Sequence, residues 1–498
     1  MVSRRNHTGA SEQDALLATS DHIEDHSAPE PCQKRHIGLA STALLAANSM
    51  IGAAVFTVPS SIVLSVGSVG AALSLWILGL GLTFCGFFIW LELGCLRPAS
   101  GGEKVYLEMA YPRPYRLAST LFGIYQMLGC WGLTSLVVTD NLLLAFDTTA
   151  SDAGKRIISV AVLVAVTAML STSREWSLRF MNILASFKIA ILVFIIMTAL
   201  ATVIGLIASD VDIGANFRHP FAGSSTDVYD YTLSLFKIFK SFQGWNCASL
   251  VLGEIANPQR TMKVAGPLGL GSVGILYFLV NVSYFLVAEP EDISRAGLQL
   301  VARLLGRIFG HATTRITAAM VALSSFGSLI SGGFVHSRVT RELALEGVIP
   351  ASKTLARTTR SGNPSTWTYL FTFCSTGVVI LMVPFGDAYA FLIDVTQTQI
   401  IFIYLAVVVG LFIIRRKVPR SEYPFRVWRW VAYLFAGFQV YLLISPALSR
   451  SGRGDTSLPY WLAPILALAS FGVGGLYWWW NRSKHAPDCQ VYDSDRTL

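Results

Sequence analysis

Two short stretches of this 498-residue chain place polar and flexible residues where they could do chemistry: "NSMIGAAVF" at 48–56 and "SFQGWN" at 241–246. Each lies inside an apolar run long enough to cross a bilayer, yet Asn, Ser and Gly are poor helix formers. An unpaired backbone N–H or C=O is costly in hydrocarbon. A helix is therefore broken there only where the freed groups face protein, a ligand or water. A restarting helix offers open N–H groups and partial positive charge, which suit a carboxylate, and the end before it offers carbonyls, which suit an ammonium group. Two such breaks together fit the head group of a zwitterion such as an α-amino acid. For either stretch alone the competing reading is that Ser and Gly let helices pack closely.

Ionisable residues add to the pattern. Lys188, Lys237 and Lys240 fall inside apolar runs, where a charge must be paired, hydrated or able to reach an interface. Lys237 can snorkel toward Asp227 and Asp230. Lys240 either meets substrate or pairs with Asp140, Asp394 or Glu92. Glu254 precedes "NPQR" at the end of the sixth run, with Pro258 ending the helix. A Glu254–Arg260 salt bridge there reads either as an inner gate or as a surface pair of little weight. His22 and His26 could ligate a metal only if the N-terminal tail were helical, and no metal site is expected. No P-loop, HExxH or GxSxG occurs, so neither an enzyme nor a cofactor is expected.

The elements that must position these residues are apolar. Hydrophobic residues make up 53% of the chain, charged residues 14%, and the mean hydropathy is +0.54, which excludes an ordinary soluble domain. Twelve runs near 37–66, 69–96, 117–146, 157–171, 180–208, 231–253, 264–288, 313–335, 366–385, 389–414, 429–448 and 460–480 predict twelve transmembrane helices. Residues 1–36 read as a disordered tail, 37–480 as the membrane domain and 481–498 as a second tail. No cleaved signal peptide is expected. Most of the 38 Lys and Arg fall on the side that places both termini in the cytosol, so the net charge of +8 reads as topology. The spacing of Arg338, Glu342 and Glu346 predicts a short amphipathic helix on the membrane surface. The seven scattered cysteines predict neither disulfides nor zinc, and the sequons at Asn6, Asn281 and Asn481 are expected to carry no glycan. Two discontinuous helices five spans apart mark an inverted-repeat secondary transporter, with repeats at about 37–208 and 231–414 and two added helices at 429–480.

"NSMIGAAVF", "RPASGGEKVYLEMAYPRP", "FQGWNCASLVLGEIANPQRTMKVAGPLG" and "HSRVTRELALEGVIP" together resemble the amino acid, polyamine and organocation transporter superfamily. Within it they are similar to the fungal methionine-permease branch of the L-type amino acid transporters. The resemblance implies an all-α integral membrane protein of the leucine-transporter 5+5 fold, moving an α-amino acid such as methionine by alternating access, with the plasma membrane as the expected location. It assigns Ser49, Met50, Ile51 and Gly52 to the substrate carboxylate and Ser241, Phe242 and Gly244 to the amino-group side. The family pattern has Gly where this chain has Asn48 and Ala54. Lys188 matches a fifth-helix lysine that resembles a stand-in for sodium, which implies sodium independence and leaves proton coupling open beside a purely structural cation. Lys240 stands where relatives have a bulky aromatic cap, which would favour an acidic metabolite if it meets substrate. A non-transporting receptor is the rival reading. The loop "DTTASDAGKR" lacks the cysteine with which animal relatives hold a glycoprotein, so no covalent partner is expected.

Overall fold

The computed structural model describes residues 35–207, 212–287, 305–306, 312–359, 362–384, 387–445 and 461–481. The expectations placed on residues 1–34 and 482–498, including His22, His26 and Asn6, lie outside the described residues. Apart from two isolated bridges, Ile37 with Ile255 and Thr358 with Pro364, the regular structure among the described residues is helical.

In chain order the helices are α1 (Leu39–Met50), α2 (Ala54–Val66), α3 (Val69–Leu96), α4 (Glu103–Ala110), α5 (Leu117–Leu128), α6 (Thr134–Ala145), α7 (Asp152–Thr172), α8 (Arg174–Val203) and α9 (Ala215–Arg218). They continue as α10 (Val228–Ser241), α11 (Cys247–Leu250), α12 (Pro258–Val287), α13 (Thr313–Leu345), α14 (Ser352–Leu355), α15 (Thr366–Met382), α16 (Asp387–Lys417), α17 (Arg429–Ile444) and α18 (Leu462–Asn481). Helix falls on all twelve expected apolar stretches. Among the described residues, seven helices (α3, α7, α8, α12, α13, α16 and α18) are long and apolar enough to cross a membrane, and the bent pair α1 and α2, taken as one span, makes an eighth.

Local chemistry sets several boundaries. The expected fourth run begins at 157, but α7 starts at Asp152 because Ser151 Oγ accepts the Gly154 N–H and caps a polar first turn. Residues 336–345 continue α13 and are not a separate surface helix, which corrects the amphipathic reading. Arg338 is 3% exposed and finds acceptors inside the protein, so the charged face of that segment points inward. The third stretch is also interrupted, between α5 and α6, where Cys130 has φ +48° and the Gly132 N–H donates to Thr376 Oγ1 at 3.0 Å.

Burial follows the inside-out logic of a membrane protein. Large apolar side chains such as Ile77, Trp176, Met197, Ile275, Trp430 and Leu476 are exposed, where lipid would cover them. The interior holds an aromatic cluster of Trp90, Trp245, Tyr404 and Phe435 together with many buried polar groups. Asn281 is fully buried and donates to the Tyr277 carbonyl, so its sequon is out of reach of glycosylation. Cys85, Cys95, Cys130, Cys247 and Cys374 are free thiols.

Candidate functional site

The first break lies between Met50 and Ala54, where Ile51 is extended (φ −74°, ψ 95°) and the two helix halves bend by 48°. Its carbonyls are not left open. Lys188 on α8, 1% exposed, donates to Asn48 O (2.8 Å), Ile51 O (2.6 Å) and Ser328 Oγ (2.8 Å), which uses all three ammonium protons. Ser328 Oγ also lies 2.9 Å from Ile51 O, and Ser324 Oγ lies 3.2 Å from it. Asn48 donates to Ser331 Oγ (2.6 Å) and Gly327 O (3.2 Å), tying the broken helix to α13. Gly327 is required beside them, since a Cβ there would lie 2.7 Å from Lys188 Cε and 2.8 Å from Asn48 Oδ1. Asn48 therefore serves as a structural staple between the broken helix and α13.

The second break follows Ser241, where α10 ends and residues 242–246 form successive tight turns before α11. Gly244 has φ +106°, and a Cβ on it would lie 2.7 Å from Ser49 Cβ. The left-handed backbone and the contact both exclude any larger residue. The two interruptions therefore touch, Gly244 against Ser49. One further group joins them: the Tyr277 hydroxyl of α12 lies 2.8 Å from Met50 O and 3.4 Å from Ser241 O, and its ring stacks at a tilt on Phe242. Met50, Ile51, Ser241 and Phe242 are buried, Ser49, Gly52 and Gly244 are partly accessible, and Lys240 is exposed. The structure thus brings Ser49, Met50, Ile51, Gly52, Ser241, Phe242, Gly244 and Lys188 into one cluster.

Charges around this cluster sort differently from the sequence reading. Glu92 is held by Arg415, and Asp140 pairs with Lys155 at 3.0 Å, so neither serves Lys240. Asp394 on α16 is its acidic electrostatic neighbour. Lys237 meets neither expected acid: Asp227 caps α10 through the Tyr229 N–H, and Asp230 accepts from Ser225 Oγ. Glu254 does not pair with Arg260, which is exposed and in no ion pair among the described residues. Its carboxylate lies between Arg338 (Nε to Oε1, 2.8 Å) and Arg174 (Nε to Oε2, 3.5 Å), all three residues being less than 10% exposed. Pro258 starts α12 and turns Arg260 outward, whereas α8 and α13 deliver the two arginines to the buried acid.

A further latch was missed. Glu103 at the start of α4 is buried and accepts from Trp90 Nε1 (2.9 Å) and from Asn246 in the second break. The Gly101 N–H donates to Leu250 O, the Gly253 N–H to Ser100 Oγ, and Lys104 pairs with Glu346. The loop before α4 thus clasps the half-helix below the break. Tyr277, Ser324 and Ser328 also escaped the sequence reading. A tyrosine in the middle of an apolar span, whose hydroxyl needs a partner, and two serines one helical turn apart were the available signals.

A family model described as amino acid permease matches residues 37–470. The high-affinity methionine permease of Saccharomyces cerevisiae is 31% identical over 454 residues, covering 89% of this chain and 79% of the relative. The low-affinity methionine permease of the same yeast is 26% identical, over 92% and 85% of the two chains. The human cystine/glutamate transporter is 26% identical, over 81% and 78%.

Proposed function

The chain belongs to the amino acid permease family, and from that premise we propose that it is a twelve-span secondary transporter of neutral amino acids, methionine foremost, built on a 5+5 inverted repeat. Amino acid transport across a membrane follows from the family; the substrate and cycle are the present reading. The observation that carries it is the meeting of two helix breaks, Gly244 on Ser49, with the carbonyls of the first already taken by Lys188 and Tyr277. The restarting half-helix at Gly52–Ala54 is then the end suited to a substrate carboxylate, and the Ser241–Gly244 turns face the ammonium. Lys188 occupies the carbonyl and hydroxyl oxygens that a bound monovalent cation would need, which supports sodium-independent transport, with protons as the candidate coupling ion.

The buried Arg174–Glu254–Arg338 cluster and the α4 clasp shut one side, while Lys240 and Gln243 remain exposed at the break. That asymmetry supports an alternating-access cycle in which the shut side is cytosolic; the excess of Lys and Arg on that side supports cytosolic termini, and the plasma membrane is the proposed location. Purified protein in sealed liposomes tests the reading. Labelled methionine should enter by counterflow against internal methionine without sodium, and specific binding without flux would replace the carrier with a receptor.

The exposure of Lys240 favours a second reading, a preference for substrates bearing an additional carboxylate. In a competition panel, Lys240→Trp should then shift preference from acidic to neutral amino acids, and an unchanged panel removes Lys240 from selectivity.

A further inference from the structure

A groove of about 400 Å³ opens between α4, the loop to α5, α5 itself, α16 and α18. Its walls are apolar, with Leu107, Leu121, Phe122, Phe402, Ile403 and Phe471 among them. The volume is that of a small-molecule site, about 300–1,000 Å³, but convergent polar groups are lacking. Polarity is confined to the rim. Arg113 is the one charged residue lining the groove and is exposed; Arg116, just before the lining Leu117, has its guanidinium 5.0 Å from the Tyr115 ring, and Lys417 reaches Ala110 O, beside the lining Tyr111, at 3.4 Å. Among the described residues these three cations enter no ion pair, and Glu108 on α4 is engaged by Ser119 and Lys104.

An apolar slot with an unpaired cationic rim at the end of apolar helices matches one chemistry, an acyl chain joined to an anionic head group. The geometry points to a resident anionic phospholipid, its acyl chain between α5, α16 and α18 and its phosphate at Arg113, Arg116 and Lys417. The site has a mechanical consequence. Leu107 and Tyr111, which line it, stand on or beside α4, whose first turn and preceding loop clasp the half-helix below the second break through Gly101, Glu103 and Lys104. Lipid in the groove braces α4 against α16 and thereby holds that clasp closed.

The full-length protein, purified in detergent, is titrated with dioleoylphosphatidylserine, dioleoylphosphatidylcholine or inorganic phosphate. Bound lipid is counted by native mass spectrometry and the lipid-induced shift of the melting midpoint is measured. Phosphatidylserine should bind and raise the midpoint, with phosphatidylcholine at least tenfold weaker and inorganic phosphate without effect. Arg113→Glu, a change on an exposed loop residue, should abolish the preference for the anionic lipid, Arg113→Lys should keep it, and Ala118→Trp, which fills the groove, should remove binding of both lipids. Equal protection by phosphatidylcholine, reproduction of the effect by phosphate alone, or wild-type phosphatidylserine binding in Arg113→Glu would each overturn the site. The readout is lipid occupancy, so it stands apart from which solute the carrier moves.

Discussion

Replacing Glu254 with Gln removes the one negative charge between two buried guanidiniums at 2.8 and 3.5 Å. At an effective dielectric near 20, a unit pair about 4 Å apart is worth about 4 kcal/mol. Breaking a buried pair by removing one partner costs about 3–5 kcal/mol, against less than about 1 kcal/mol for an exposed pair. If the cluster closes only in the shut conformation, this cost falls on that conformation and not on the open one. Each 1.4 kcal/mol being tenfold, the ratio of open to shut should rise by roughly 10²- to 4 × 10³-fold. Cys247, buried on α11 beneath the second break and beside Ser49, reports the opening. In a background with the other six cysteines changed to Ser, maleimide labelling of Cys247 should accelerate in Glu254→Gln by that factor up to its saturation. The double variant Glu254→Gln/Arg338→Met should recover part of the difference, because it removes a stranded charge. An acceleration below about fivefold would place the trio in the weak surface-pair range and refute the latch.

Other perturbations separate the remaining parts of the site. Gly244→Ala demands φ +106° of an alanine and drives a Cβ to 2.7 Å from Ser49 Cβ, a cost of at least about 1–3 kcal/mol. Uptake in cells should fall to background while surface expression persists, and normal uptake would mean that the breaks do not meet this tightly. Tyr277→Phe strands the Met50 carbonyl, a loss of about 1–3 kcal/mol. A lower melting midpoint in detergent together with a raised half-saturation for methionine is expected, and neither change would show the hydroxyl to be dispensable. Gly327→Ala pushes a methyl group against Lys188 Cε and Asn48 Oδ1. Its uptake defect should match that of Lys188→Met, with no further loss when the two are combined.

The breaks at 51–53 and 242–246 were legible because hydrocarbon tolerates Asn, Ser and Gly in a span only for a reason, and that constraint acts locally. That Lys188 needs a partner was legible from its place in an apolar run, whereas a structural role for it was only one of two readings that its match to a fifth-helix lysine left open. The third interruption was visible only as "GCWG", which reads equally well as close packing. The Glu254 partner was misassigned to Arg260, six residues away, because sequence proximity stood in for spatial proximity. The true partners, Arg174 and Arg338, lie 80 and 84 positions distant and arrive on separate helices.

The amino-acid sequence alone determined that the chain lives in a membrane, where its apolar stretches lie, and where two of them must fail. Each of these is dictated by how one segment trades its own backbone and side chains against lipid. Only the tertiary structure decided which groups answer those failures: Tyr277 joining Met50 and Ser241, Ser328 sharing the carbonyls with Lys188, Glu103 holding Asn246. Such pairings bring together residues 36 to more than 200 positions apart. An unsatisfied carbonyl or carboxylate announces that it needs a donor, but it carries no information about which helix will bring one.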